Sequence, residues 1–278
     1  SELTPHVLVS TMIPACIEKG KDITAGGAIY HTTTPFGAGL ATATDSLAAI
    51  KKAVFEDKSV SMDELLHALD TDFEGMEGEK IRQKLLATPK FGNDDDYVDE
   101  FARFLTDTFM KEVETYESGR GGHLVGGFFT LSSTVPLGHE TPATPNGRKA
   151  RTPISDSVSP TNGVEENGPT AVLNSAAKID HSRCAAGNAV NIKFSPGALE
   201  SAGKLEKFAN LITAYLIDMH GFEVQINVVS ADTLRAAQKN PAEYRDLIIR
   251  IAGYSARFVE LAPDIQEDLI TRTEHQMV

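Results

Sequence analysis

Apolar and polar positions divide the chain into a helical first half and a second half in which strands and helices alternate. From Asp45, Leu47, Ile50 and Val54 recur at i, i+3 and i+7, the spacing of one helix face. Ser61-Met62-Asp63-Glu64 has the form of a capping box ahead of Leu65, Leu66 and Leu69, so a second helix is expected to start there. Ile81, Leu85 and Leu86 predict a third helix ended by Pro89, and Val98, Phe101, Leu105 and Phe109 a longer fourth. Leu124 to Val135, rich in Phe, Thr and Val, predicts a strand. Pro136 to Pro169 holds six prolines and four glycines with almost no periodicity, which predicts a long, packed functional loop. Val190, Ile192 and Phe194 alternate with polar neighbours as in a strand. Leu205, Phe208, Leu211, Ile212, Tyr215 and Met219 share a helix face that Gly221 ends. Phe222 to Val229 predicts a further strand, and Asn240-Pro241-Ala242-Glu243 a helix start. Leu247 to Ala252 reads as a strand running into Gly253-Tyr254. Ile265, Leu269 and Ile270 predict a final helix carrying Arg272 and His275 in its last turn. The alternation in the second half predicts an α/β architecture.

Composition narrows the function. With 26 basic against 39 acidic residues, a net of -13, the chain is poorly suited to hold nucleic acid or an anionic membrane. Its two cysteines, Cys16 and Cys184, lie far apart without CxxC spacing, which argues against a disulfide scaffold or a structural zinc site. No apolar run reaches the ~20 residues of a membrane span, and no signal peptide is visible, so a cytoplasmic location is expected. The chain opens on Ser1 rather than Met, so a processed, trimmed or fragmentary polypeptide is expected. Zincin, Walker, dinucleotide and nucleophile-elbow motifs are absent from the sequence, and no metal site is expected. His123 and His139 flank the expected 124–135 strand, either as substrate contacts or as hydrogen-bonded loop histidines. Asn93-Asp94-Asp95-Asp96 lacks the spacing of a calcium loop and reads as a solvated helix N-terminus.

The informative segment is Arg250-Ile251-Ala252-Gly253-Tyr254-Ser255-Ala256-Arg257-Phe258. On physics alone a glycine after a strand supplies a turn with positive φ. The segment also resembles the Arg-hydrophobic-small-Gly-Tyr signature of glycyl radical enzymes, the pyruvate formate-lyase and diol dehydratase family. Phe258-Val259-Glu260-Leu261 and the stretch from Gln266 to His275 resemble that family's ending. Asp45 to Lys52 and Phe91 to Val98 resemble its helical region. Ala143 to Arg148, Val158-Ser159-Pro160 and Asn167 to Ala171 resemble its long loops, and Gln225 to Ser230 a late barrel strand. The resemblance covers nearly the whole chain.

The resemblance implies the C-terminal half of a ten-stranded α/β barrel with a helical segment at its N-terminal side. Residues 1–150 would belong to the barrel domain and residues 151–278 to a glycine radical domain. Gly253 would store a radical, since an α-carbon radical conjugates with both flanking amides only when planar, and a Cβ would crowd that arrangement. Arg250 and Tyr254 would support the loop, and Phe129 and Thr130 would face a small-molecule substrate. No cofactor would be bound; an activase using S-adenosylmethionine and an iron–sulfur cluster would install the radical. The family's catalytic cysteine, usually followed by Val and Glu, has no counterpart here. Cys16, ahead of Ile17-Glu18, mimics it, but Lys19-Gly20-Lys21-Asp22 matches a segment downstream of the catalytic loop. A cysteine-bearing N-terminal half or subunit is therefore an expected partner, in a full enzyme that forms homo-oligomers. Val135-Pro136-Leu137-Gly138 and Gly168-Pro169-Thr170 are closer to the dehydratase-like branch, so loss of water from a small diol is the expected reaction. Pyruvate formate-lyase chemistry, other lyase chemistries and a non-catalytic radical module are the alternatives.

Overall fold

A computed structural model of the chain describes residues 4–119 and 121–277. Two short helices, α1 (Val7–Met12) and α2 (Cys16–Lys19), lead into the helical layer. That layer comprises α3 (Leu40–Ala49), which runs on into a π-helical turn over Ile50–Glu56, then α4 (Met62–Asp70), α5 (Gly75–Leu86) and α6 (Asp96–Glu114). The expected capping box opens α4: Glu64 N donates to Ser61 Oγ at 3.2 Å, and Ser61 N donates to Glu64 Oε2 at 2.8 Å. Asp95 caps α6 by accepting from Tyr97 N at 2.9 Å, so the aspartate run is a helix start, as expected. Small residues of α3, Ala41 and Ala48, share the main core with Val98, Ala102 and Met110 of α6. A second core joins Ala49 and Ala53 to Leu65, Ala68, Phe73 and Leu85.

Beyond the helices, extended segments line up in parallel. Thr33 and Phe36 bridge to Leu124 and Gly127, and Phe128 bridges to Asn188, the residue before β1 (Ala189–Phe194). β1 pairs along its whole length with β2 (Glu223–Val228), and at its end with β5 (Glu274–His275). Helices α8 (Gly168–Ala177) and α9 (Ala202–Thr213) cover this arc, with Val172, Leu173, Phe194, Leu211 and Tyr215 in the main core. The α/β class is as expected.

The predicted strand over 124–135 is corrected. Only its first part is extended. Gly126 and Gly127 sit where a Cβ would come within 2.7 Å of Met110 Sδ and 2.5 Å of Gly187 O, so close packing rather than alternation decides their conformation. The chain then turns at Leu131, with φ at +53°, and forms α7 (Thr134–Glu140). Pro136 is tolerated there because the first-turn N–H groups of a helix have no partner within it. The expected structureless stretch is thereby shortened at both ends, by α7 and α8.

The last part of the chain is a compact unit of α10 (Ala231–Lys239), a 3-10 turn over Pro241–Tyr244, the hairpin β3 (Ile248–Arg250) and β4 (Ser255–Arg257), and α11 (Pro263–Thr271). Leu234, Ile249, Ile251, Phe258, Leu269 and Ile270 form its core. α11 ends at Thr271, so Arg272 is its extended C-cap (ψ 138°) and His275 belongs to β5 rather than to the helix.

Candidate functional site

The loop between β3 and β4 is the centre of the site. The strands pair Ile248 with Arg257 and Arg250 with Ser255, and Ile251 N donates to Tyr254 O at 2.9 Å to close the turn. Ile251 and Ala252 are buried, which fixes the entry to the turn. Gly253 has φ +78°, the left-handed region that costs any residue with a Cβ. A Cβ there would also lie 2.4 Å from Phe129 Cζ, 2.6 Å from Phe129 Cε1 and 3.0 Å from Leu131 Cδ2. Two independent constraints thus demand glycine.

Three polar groups hold the loop from the sheet side. Gln225 Oε1 accepts from Gly253 N at 2.7 Å and from Arg250 Nε at 3.1 Å. Asn227 clamps the backbone of Arg250: its Oδ1 accepts from Arg250 N at 2.9 Å and its Nδ2 donates to Arg250 O at 2.6 Å. Arg272 Nη1 donates to Ile251 O at 2.8 Å.

Opposite the loop, Phe129 and Leu131 form a strap over Gly253. Phe129 is steadied by Phe36, with ring centroids 6.5 Å apart. Thr130, between them, faces the other way and is buried. Its hydroxyl donates to Asp156 Oδ1 in a short hydrogen bond and accepts from Ser157 N at 3.1 Å. Asp156 also accepts from Asn191 Nδ2 at 2.5 Å, and its Oδ2 lies 3.7 Å from Arg272 Nη2, which pairs with Asp268 at 3.2 Å. Burial pushes the Asp156 carboxyl up from the ordinary range, against the opposing pull of Arg272. One buried network therefore reaches the strap through Thr130 and the loop through Arg272.

The sequence-predicted residues separate on this geometry. Gly253, Arg250 and Phe129 come together, and Tyr254 flanks them half-open to solvent. Thr130 is adjacent but engaged with Asp156. His123 is exposed, and His139 on α7 pairs with Asp264 at 3.6 Å. Cys16 and Cys184 are both buried free thiols, and burial raises the Cys184 pKa. Among the described residues, the side chains nearest a Cβ at Gly253 are those of Phe129 and Leu131 rather than these histidines or cysteines. Among the described residues no cluster of three or more His, Cys, Asp or Glu could hold a metal ion. Sequence reasoning missed Gln225, Asn227, Asp156 and Arg272. Gln225 and Asn227 were visible as polar residues recurring at every second position of an apolar strand; the two charged residues gave no comparable signal.

Comparison with known proteins agrees with this reading of the fold. The family description "Pyruvate formate lyase-like" matches residues 1–138, and "Glycine radical" matches residues 154–259. The chain is 42% identical over 272 residues to trans-4-hydroxy-L-proline dehydratase of Clostridioides difficile, covering 97% of this chain and 34% of that protein. It is 45% identical over 242 residues to isethionate sulfite-lyase of Bilophila wadsworthia, covering 86% of this chain and 29% of that protein. Among solved structures, the glycerol-bound form of the B12-independent glycerol dehydratase from Clostridium butyricum superposes with a TM-score of 0.93 at 44% identity, over 99% of this chain and 34% of that one. The chain thus spans about a third of the length of the relatives it matches. By its two family matches and these relatives, the chain belongs to the glycyl radical enzymes, the pyruvate formate-lyase-like proteins that carry a glycine radical domain.

Proposed function

We propose that this chain is the radical-storing part of a glycyl radical dehydratase, with Gly253 as the storage residue. The observation that carries the proposal is the glycine itself, held at φ +78° under Phe129 and Leu131 with no room for a Cβ, inside the segment that matches the glycine radical family. An α-carbon radical at this position is flanked by two amides, and the packing of Phe129 and Leu131 against it limits access of water and oxygen. Arg250 and Tyr254 hold the loop. Phe129 forms the wall between Gly253 and the space in front of it, and Thr130 fixes that wall from behind.

In this reading a partner activase, using S-adenosylmethionine and an iron–sulfur cluster, removes one hydrogen atom from the Gly253 α-carbon. The glycyl radical then takes the thiol hydrogen of a cysteine in polypeptide outside these 278 residues. The resulting thiyl takes a hydrogen from a substrate carbon, the substrate radical expels water, and the product radical recovers a hydrogen from the thiol. Exposed apolar side chains on the N-terminal segment, among them Leu8, Met12, Ile17 and Tyr30, support packing against such additional polypeptide. A division near residue 150 into barrel and radical portions accompanies this reading. Water loss is favoured as the reaction because two of the similar proteins are dehydratases. The likeness to isethionate sulfite-lyase supports carbon–sulfur cleavage as the second reading.

The test is anaerobic assay of the activated protein with a cysteine-bearing remainder, offered glycerol, 1,2-propanediol, hydroxyproline and isethionate. Carbonyl or imine product formed with loss of water supports the dehydratase. Sulfite released from isethionate, with no dehydration of the other three, would replace it by the lyase.

A further inference from the structure

The hydrogen bonds around Gly253 give Gln225 a role beyond support of the sheet. Its side chain is buried, at the middle of β2. The amide could in principle present either its oxygen or its nitrogen to the loop. Gly253 N and Arg250 Nε are both donors and require the oxygen, and Glu223 holds that orientation: Gln225 Nε2 donates to Glu223 Oε1 at 2.6 Å, which keeps the carbonyl oxygen toward Gly253 N, 2.7 Å away. Arg250 Nε donates to the same oxygen at 3.1 Å, and Arg250 Nη2 lies 4.0 Å from Glu223 Oε1. Glu223, Gln225 and Arg250 thus form a polar triad that, through Gln225 Oε1, also holds the amide N–H of the candidate radical residue.

That contact bears on the chemistry of the α-carbon. A radical there is stabilised by electron donation from its own amide nitrogen together with withdrawal by its carbonyl. An acceptor held on the N–H makes the nitrogen a better donor, and it also fixes the plane of that amide relative to the α-carbon. We propose that Gln225, oriented by Glu223, is the residue that positions the Gly253 amide and strengthens its donation to the glycyl radical. This rests on the reading of Gly253 as the storage residue. Asn227, by contrast, holds only the backbone of Arg250, three residues away.

The experiment has two arms, on the protein with its wild-type sequence, on Gln225→Met, and on the double variant Gln225→Glu, Glu223→Gln. Methionine keeps the length of the side chain and removes the strong acceptor. The double variant exchanges donor and acceptor within the pair and keeps an oxygen toward Gly253. The first arm needs no radical: hydrogen exchange of the Gly253 amide in the unactivated protein, with circular dichroism as the check on folding. Loss of one hydrogen bond is expected to speed exchange about tenfold in Gln225→Met, and the double variant is expected to return to the wild-type rate. The second arm follows the glycyl signal after anaerobic activation, with the N–H proton coupling taken from the difference between water and deuterium oxide. The coupling is expected to change and the signal to decay several-fold faster in Gln225→Met, with both restored in the double variant. Wild-type exchange, coupling and decay in a folded Gln225→Met protein would overturn the role of Gln225, as would a folded double variant that exchanges as fast as Gln225→Met. If wild type yields no glycyl signal while the exchange arm behaves as expected, the positioning stands and the storage reading fails.

Discussion

At the residue scale, Gly253 combines a backbone demand and a packing demand that can be measured apart. Gly253→Ala places a Cβ in the left-handed region, which costs about 1–2 kcal/mol. It also drives that Cβ into Phe129, an overpacking term of roughly 1–3 kcal/mol. The second term should shrink in a Phe129→Ala background, where only Leu131 still meets the Cβ, while the first persists. Denaturant titration of the two single variants and the double should therefore show Gly253→Ala costing less in the Phe129→Ala protein; strict additivity would show that the ring does not press on the glycine. The sequence made Gly253 and its neighbour Arg250 legible through a local motif. Phe129 was legible only as part of a strand that the structure replaces by an extended stretch, a turn at Leu131 and α7. Its face followed from Gly126 and Gly127, whose packing partners Met110 and Gly187 are distant in sequence, and alternation cannot report such contacts.

At the scale of elements, the strap before α7 and the hairpin loop are joined by Asp156 and Arg272. Both are buried, so neither charge can be left alone cheaply. Removing one partner, as in Arg272→Met, is expected to cost about 3–5 kcal/mol by stranding the other. The pair Asp156→Asn, Arg272→Met should cost less than the sum of its parts, and a sum equal to the parts in equilibrium unfolding would show the two are not coupled. Arg272 was expected in the last turn of a helix because its period continues that of Leu269 and Ile270. The structure ends α11 one residue earlier, and this lets the guanidinium reach Ile251 O and Asp156. By contrast, α4 and its capping box were legible because every interaction that defines them is local. Ser61→Ala should lower stability by about 1 kcal/mol, since it leaves the Glu64 N–H without its partner. An unchanged denaturation midpoint would show that water replaces the cap at no cost.

At the scale of the whole molecule, the helical layer is tied to the long loop by Asp45, a fully buried carboxylate on α3. It accepts from Phe91 N at 2.8 Å and from Thr161 Oγ1 at 3.1 Å. Burial raises its pKa from 3.8 to about 7, while the Phe91 N–H and Lys90 pull the other way. The folded state thus holds a proton that the unfolded chain releases near pH 4. The stability that comes from the protonated form is complete below pH 4 and is lost as pH rises to about 7. Asp45→Asn keeps an acceptor for Phe91 N and removes the charge. Its stability relative to wild type should rise between pH 4 and pH 7 and level off above; a difference flat across that range in urea titrations would place the Asp45 pKa at its ordinary value. Long-range ties of this kind, between residues 45 and 161 or between 156 and 272, were not legible in the sequence. No periodicity links their positions.

The proposed chemistry depends on Gly253 as the site where a radical is stored. The most direct test is electron paramagnetic resonance of the protein activated anaerobically by a radical activase that uses S-adenosylmethionine, beside a folded Gly253→Ala control. The account predicts a doublet from the one remaining α-hydrogen, collapsing to a single line when the protein is made with α-deuterated glycine, and absent in the control. A doublet that survives Gly253→Ala would place the radical on another residue and contradict it.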